Sequence, residues 1–137
     1  LTAVVIDASI ALSWCFNDEA SPETEMLLER VRDNGATVPP LWHIELGNIL
    51  LQAEKRGRIA MSDVGVRLDL LAVLPIITDQ EMTARLWRDI LAIARAEGLT
   101  TYDATYLELA LRRKLPLLTK DKELASAGKR RGIQIYP

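Results

Sequence analysis

Cysteine, histidine and aromatic side chains are scarce in this chain. Its 137 residues include one Cys, one His and one Phe, and aromatics make up 5% of the sequence. A single cysteine, Cys15, excludes an internal disulfide and a cysteine-based zinc cluster, and it fits a reducing cytosol. Cys15 lies among Leu12, Trp14 and Phe16 and reads as a small core residue rather than a nucleophile. His43 has no second histidine with which to build a usual zinc set, so it reads as a surface or satisfied polar residue. No apolar run approaches the roughly 20 residues that cross a bilayer. The opening Leu1–Ile6 is short, lacks a basic flank and runs into Asp7, which is not a signal-peptide pattern. An excess of one charge is missing too: 17 basic and 19 acidic residues leave a formal charge of −2. That balance argues against a nucleic-acid binder relying on bulk charge.

The chain has an apolar fraction of 49% and a charged fraction of 26%. These values and the length describe one soluble domain, residues 1–137, with a sizeable core. Charge is unevenly placed. Arg112, Arg113, Lys114, Lys120, Lys122, Lys129, Arg130 and Arg131 are opposed locally only by Asp121 and Glu123. A solvated surface and a phosphate-facing rim both explain this segment.

Short β-branched or apolar runs alternate with longer helical patterns. Thr2–Ile6, Ala36–Val38, Pro75–Ile77, Leu115–Thr119 and Gly132–Tyr136 read as strands, the last at an edge. Helices are expected over Ala8–Phe16, from Ser21-Pro22-Glu23 to Asn34-Gly35, and over Leu41–Arg56. Ser62 caps a further expected helix, Asp63–Leu74. The Thr78-Asp79-Gln80-Glu81 box opens another that ends near Glu97. Thr100 or Thr101 starts a helix through Leu111, and a last short helix runs to Ala127 with Gly128 as its stop. Met26, Trp42, Leu86 and Ile90 are expected on buried helix faces, Trp87 in the core or at its edge, and Glu108 on a solvated face beside Arg112. Two helices between most strands imply a three-layer α/β/α sandwich around a mostly parallel sheet.

Asp103 is out of place on its helix. Tyr106, Leu107 and Ala110 follow it at helical spacing, so it sits on an apolar stripe. A buried acid in the first turn gains from the helix dipole; a metal ligand is the other explanation. Glu45 interrupts a second apolar stripe, between Leu41 and Ile49, with Asn48 further along the same face. Asp7 and Asp121 end predicted strands, and open α/β sheets place their sites outside the carboxyl ends of strands. The Asp103 helix leads into the Asp121 strand, and Glu45 lies early in a helix that follows a predicted strand, so the four acids are candidates for one pocket at that edge. Acids so close repel, and either some stay protonated or a divalent cation binds. Oxygen ligands without His or Cys suit Mg²⁺ or Mn²⁺. The chemistry implied is metal-assisted hydrolysis of a phosphodiester. Ser9 and Thr119 stand where hydroxyls can support the carboxylates, and Lys120, Lys122 and Arg112 where they can meet a phosphate backbone.

The segments VVIDAS (Val4–Ser9), Glu45–Asn48, TYDATYLELA (Thr101–Ala110) and LLTKDKEL (Leu117–Leu124) resemble PIN-domain ribonucleases, most closely the VapC-type toxins. The resemblance spans nearly the whole chain. It implies catalytic and metal-binding roles for Asp7, Glu45, Asp103 and Asp121, with Ser9, Asn48 and Thr119 supporting. It also implies a cytoplasmic, Mg²⁺- or Mn²⁺-dependent endoribonuclease acting on RNA, usually a homodimer, restrained by a VapB-like antitoxin. Trp14, Phe16 and Trp42 are either core residues or part of an antitoxin groove. Other acidic-pocket folds fit less well. A receiver-like phosphotransfer domain needs an adjacent acidic pair after the first strand, where Ile6 and Ala8 flank Asp7. A dehalogenase-like phosphatase needs a second Asp where Ser9 stands. A non-catalytic binding module has no need of four acids on apolar faces.

Overall fold

The β-branched run Val4–Ile6 forms strand β1, and all three of its side chains are wholly buried. Successive strand residues point to opposite faces, so both faces of the sheet are covered there. The structure, a computed structural model, describes residues 3–137; Thr2, expected to begin this strand, lies outside them. After β1 come α1 (Ala8–Cys15), a 3₁₀ turn (Asn17–Glu19), α2 (Pro22–Asn34), β2 (Ala36–Val38), α3 (Pro40–Lys55) and α4 (Met61–Ala72). Then follow β3 (Ile76–Thr78), α5 (Ala84–Glu97), α6 (Thr101–Arg113), β4 (Leu117–Leu118), α7 (Lys122–Arg130) and β5 (Ile135–Tyr136).

The sheet has the order β3-β2-β1-β4-β5, and every pairing is parallel. The first three strands step one way from β1, and the last two step the other way. The connections therefore diverge between β1 and β4, leaving a crevice at their carboxyl ends where such sheets hold ligands. Val5 pairs with Leu117 and Ile6 with Leu118. One residue further on, that register sets Asp7 beside Thr119.

Local chemistry sets most boundaries. Ser21 and Thr24 form a capping box on α2, with Pro22 at its first position. Gly35 ends α2 at φ 84°, and a Cβ there would stand 3.1 Å from the Pro75 carbonyl oxygen. That combination is open only to glycine. Thr100 caps α6 by accepting the Asp103 N–H.

Several expectations are corrected. The Thr78–Glu81 box caps no helix: Thr78 belongs to β3, Asp79 is taken by Arg112 and Arg113, and Thr83 caps α5. Asp63, not Ser62, secures the start of α4 by accepting the Ala60 N–H at 2.8 Å. Val64, Leu68, Leu71 and Ala72 recur at helical spacing and predict a buried stripe on this helix, but only Leu71 is buried. Met26 and Trp87 are exposed, because the buried sides of their helices are filled by Leu27 and Val31, and by Leu86, Ile90, Ile93 and Ala94. Leu46 and Leu50, with Trp42 and Ala53, make the buried face of α3. Glu108 is buried, held by Arg112. α7 continues past Gly128 to Arg130; Gly128 lies where the helix packs on Ile135, whose Cδ1 would be 2.5 Å from an added Cβ. Phe16 and Trp42 are core residues, and the half-buried Trp14 donates its indole N–H to the Thr24 carbonyl.

Candidate functional site

Asp7 leaves β1 and caps α1, its Oδ1 accepting the Ile10 N–H at 3.3 Å. Two hydroxyls hold it. Ser9 Oγ donates to Oδ1 at 2.6 Å, and Thr119 Oγ1 donates to Oδ2. Each hydroxyl in turn accepts a backbone N–H from the loop after β4: Lys120 N–H reaches Ser9 at 2.9 Å, and Asp121 N–H reaches Thr119 at 3.0 Å. The adjacent registers of β1 and β4 make this network possible, and it fixes Asp7 at the carboxyl end of β1, beside the exit of β4. Asp7 is buried, and burial pushes its carboxyl above the ordinary value while the Ser9 and Thr119 bonds pull it back.

Asp121 caps α7, accepting the Leu124 N–H on Oδ1 at 2.8 Å. Asp103 is half-buried in the first turn of α6. Its carboxyl is pushed up to about 6, first by burial, then by the negative charges of Asp121, Asp7, Glu45 and Glu123. The influence of Asp121, Asp7 and Glu45 on Asp103 marks the four acids of the sequence as one electrostatic group. Glu123, exposed on α7, adds to the same field.

Glu45 comes from α3 and is half-buried. Its Oε1 accepts the Tyr106 hydroxyl at 2.5 Å. By its spacing Tyr106 belongs to the apolar stripe of α6. It is almost wholly buried, and its phenol is pushed far above its ordinary value by burial and by Glu45. The spacing that puts Tyr106 one turn after Asp103 was the available signal; its partner on α3 was not readable.

Among the described residues, no Lys, Arg or His forms an ion pair with Asp7, Glu45, Asp103 or Asp121. As the side chains stand, no group of three or more Asp, Glu, His or Cys among those residues surrounds one ion position. The donor chemistry still fits a hard divalent cation. The candidate donors are all oxygens, no base among the described residues pairs with them, and Asp103 accepts no hydrogen bond on its side chain among those residues.

The remaining sequence candidates separate. Lys120 and Lys122 are exposed at the same rim, and neither is ion-paired among the described residues. Asn48 is exposed one turn beyond Glu45. Arg112 is corrected: its guanidinium binds Asp79, Glu81 and Glu108 at 2.7–3.0 Å, so it is not free to meet a phosphate. Arg130 and Arg131 are both paired with Glu97.

The chain is 27% identical over 122 residues to Ribonuclease VapC3 of Pyrobaculum aerophilum, covering 89% of this chain and 92% of that protein. Its fold is similar to that of PAE2754 from Pyrobaculum aerophilum, with a TM-score of 0.74 and 22% identity over 98% of this chain and 89% of the other. It is also similar to FitAcB from Neisseria gonorrhoeae, with a TM-score of 0.58 and 13% identity over 98% and 96% of the two chains. The PIN domain family model matches residues 4–130, a span that includes Asp7, Glu45, Asp103 and Asp121, and the chain belongs to the PIN domain family.

Proposed function

We propose that the chain is a metal-dependent endoribonuclease, the toxin of a type II toxin–antitoxin pair. The observation that carries this reading is the set of four acids gathered at the carboxyl end of the β1–β4 pair with no base among the described residues paired to any of them; burial first, and then the neighbouring acids, push Asp103 up to about 6. The likeness to Ribonuclease VapC3 supports the substrate class.

Asp7, Asp103 and Asp121 would hold Mg²⁺ or Mn²⁺, directly or through water, and Glu45 would help bind it or orient the attacking water. A bound divalent ion polarises a phosphodiester and makes water a better nucleophile at neutral pH. The chain's own contribution is placement. Ser9 and Thr119 keep both Asp7 oxygens hydrogen-bonded, which fixes their direction and favours the ionised form. Lys120 and Lys122 stand at the rim, where they attract and align the RNA backbone. Asn48 is a further polar group on the Glu45 side. A VapB-like antitoxin, homodimerisation and a cytoplasmic setting belong to the same reading. No described helix is long and apolar enough to cross a membrane.

A receiver-like domain also needs a free phosphoacceptor Asp after a middle strand, and Asp79, the acid that follows β3, is buried against Arg112 and Arg113. The test is cleavage of an RNA panel with Mg²⁺ or Mn²⁺ by the wild-type chain and Asp103→Asn. Activity that needs the metal and is lost in the variant is expected. Full activity in excess chelator, or in the variant, refutes the proposal.

A further inference from the structure

Tyr106 carries a polar atom that core packing does not explain. Its ring is in the core, 1% exposed, and a phenylalanine would fill the same space. A buried hydroxyl must find a partner, and this one gives its single proton to Glu45 Oε1. Glu45 has no other hydrogen-bond donor and no cation among the described residues. The bond is also the one polar side-chain link between α3 and α6 among those residues. Asp103 lies three positions before Tyr106 and so on the same face of α6. One helix face thus presents an acid to the crevice and, a turn further on, a donor that fixes a second acid from another helix.

We propose that Tyr106 is a positioning residue: its hydroxyl holds one oxygen of Glu45, so that Glu45 offers only Oε2 to the crevice at a spacing from Asp103 set by α6. A free Glu side chain samples several rotamers, and ordering it on binding an ion costs conformational entropy. Tyr106 removes part of that cost beforehand and keeps both Glu45 oxygens from turning inward together. The proposal rests on the metal-binding half of the proposed function, the reading of the acid cluster as a divalent-cation site.

The test uses the full chain carrying Tyr106→Phe, Glu45→Gln or both. Mn²⁺ binding is measured by calorimetry without RNA, together with kcat and KM on RNA and the melting temperature. A hydrogen bond to a charged group predicts that Tyr106→Phe weakens Mn²⁺ binding by roughly ten-fold. It also lowers kcat with KM for RNA unchanged, while the melting temperature stays near wild type. In the Glu45→Gln background the second substitution adds nothing. Wild-type Mn²⁺ affinity in Tyr106→Phe overturns the proposal, as do additive effects in the double variant or a large fall in melting temperature alone. Should Tyr106→Phe not fold, the ultraviolet difference spectrum of the tyrosines on Mn²⁺ addition decides instead. A signal in the wild-type chain that Glu45→Gln abolishes supports positioning, and no wild-type signal, or one that survives Glu45→Gln, overturns it. Coupling between Tyr106 and Glu45 in Mn²⁺ binding without RNA cleavage would refute the nuclease reading and leave this one standing. Cleavage without coupling would do the reverse.

Discussion

Asp103→Asn should stabilise the metal-free protein at neutral pH. The carboxyl of Asp103 is raised from 3.8 to about 6 by burial and by the other acids of the cluster. At about 1.4 kcal/mol for each unit, the full shift would correspond to about 3 kcal/mol. Asp103 is only half-buried, and solvent and salt screening reduce this to about 1.5 kcal/mol. The charge also sits in the first turn of α6, where the helix dipole returns about 0.5 kcal/mol that Asn forfeits. A net gain of about 1 kcal/mol remains, or roughly 3 °C in melting temperature for a chain of this size. The sign follows from proton linkage. The folded state holds its proton to higher pH than the unfolded state. Between about pH 4 and 6 the fold therefore loses stability as pH rises. The advantage of the Asn variant should be absent at pH 3.5 and complete at pH 7.5. These conditions are chosen to bracket the shift in urea and thermal unfolding followed by circular dichroism with EDTA present. Adding Mn²⁺ should then stabilise wild type more than the variant, because the ion binds only the folded site. An Asn variant no more stable than wild type at pH 7.5, or equally favoured at both pH values, refutes the claim that burial and the neighbouring acids destabilise the Asp103 carboxylate.

Thr119→Val keeps the shape but strips Asp7 Oδ2 and the Asp121 N–H of a partner. It should cost about 2 kcal/mol in urea unfolding at pH 7.5. The loss should shrink in acid, since protonation removes the charge that Thr119 stabilises. Arg112→Met leaves Asp79 and Glu108 buried with fewer partners. A loss of about 3 kcal/mol at neutral pH is expected in urea. Because Asp79 is held below its ordinary value by Arg112, that contribution should fade as pH drops through its folded pKa, and the two proteins should converge in acid. Replacing Lys120 and Lys122 by Ala should raise KM for RNA, leave kcat nearly unchanged, and flatten the salt dependence of binding by about 0.7 in slope for each lost phosphate contact. An unaltered salt slope would place the RNA elsewhere.

Much of the fold was legible because its signals are local. The Ser21-Pro22 start of α2, the Thr100 cap of α6 and the buried run of β1 each depend on residues within one or two turns. Misreadings arose where tertiary packing, distant or along the same helix, overrode such a signal. Asp79 looks like part of a helix cap until Arg112 and Arg113 claim it, 33 and 34 residues away. Glu108 looks solvated until the same arginine is drawn inward to cover it. Trp87 looks like core because it is large and apolar, but its neighbours at helical spacing had already filled the buried face.

By itself the sequence determined the fold class and the four candidate acids. Strand ends and helix starts are written in nearby residues, and acids on apolar stripes stand out without coordinates. Strand order was the tertiary structure's decision, and with it the crevice between β1 and β4 that sets Asp7 beside Thr119, 112 residues later. So was the pairing of Glu45 with Tyr106 across 61 residues. Local propensity acts over a few residues, whereas the partner of a buried polar group is chosen when distant elements pack and leave it only one donor within reach.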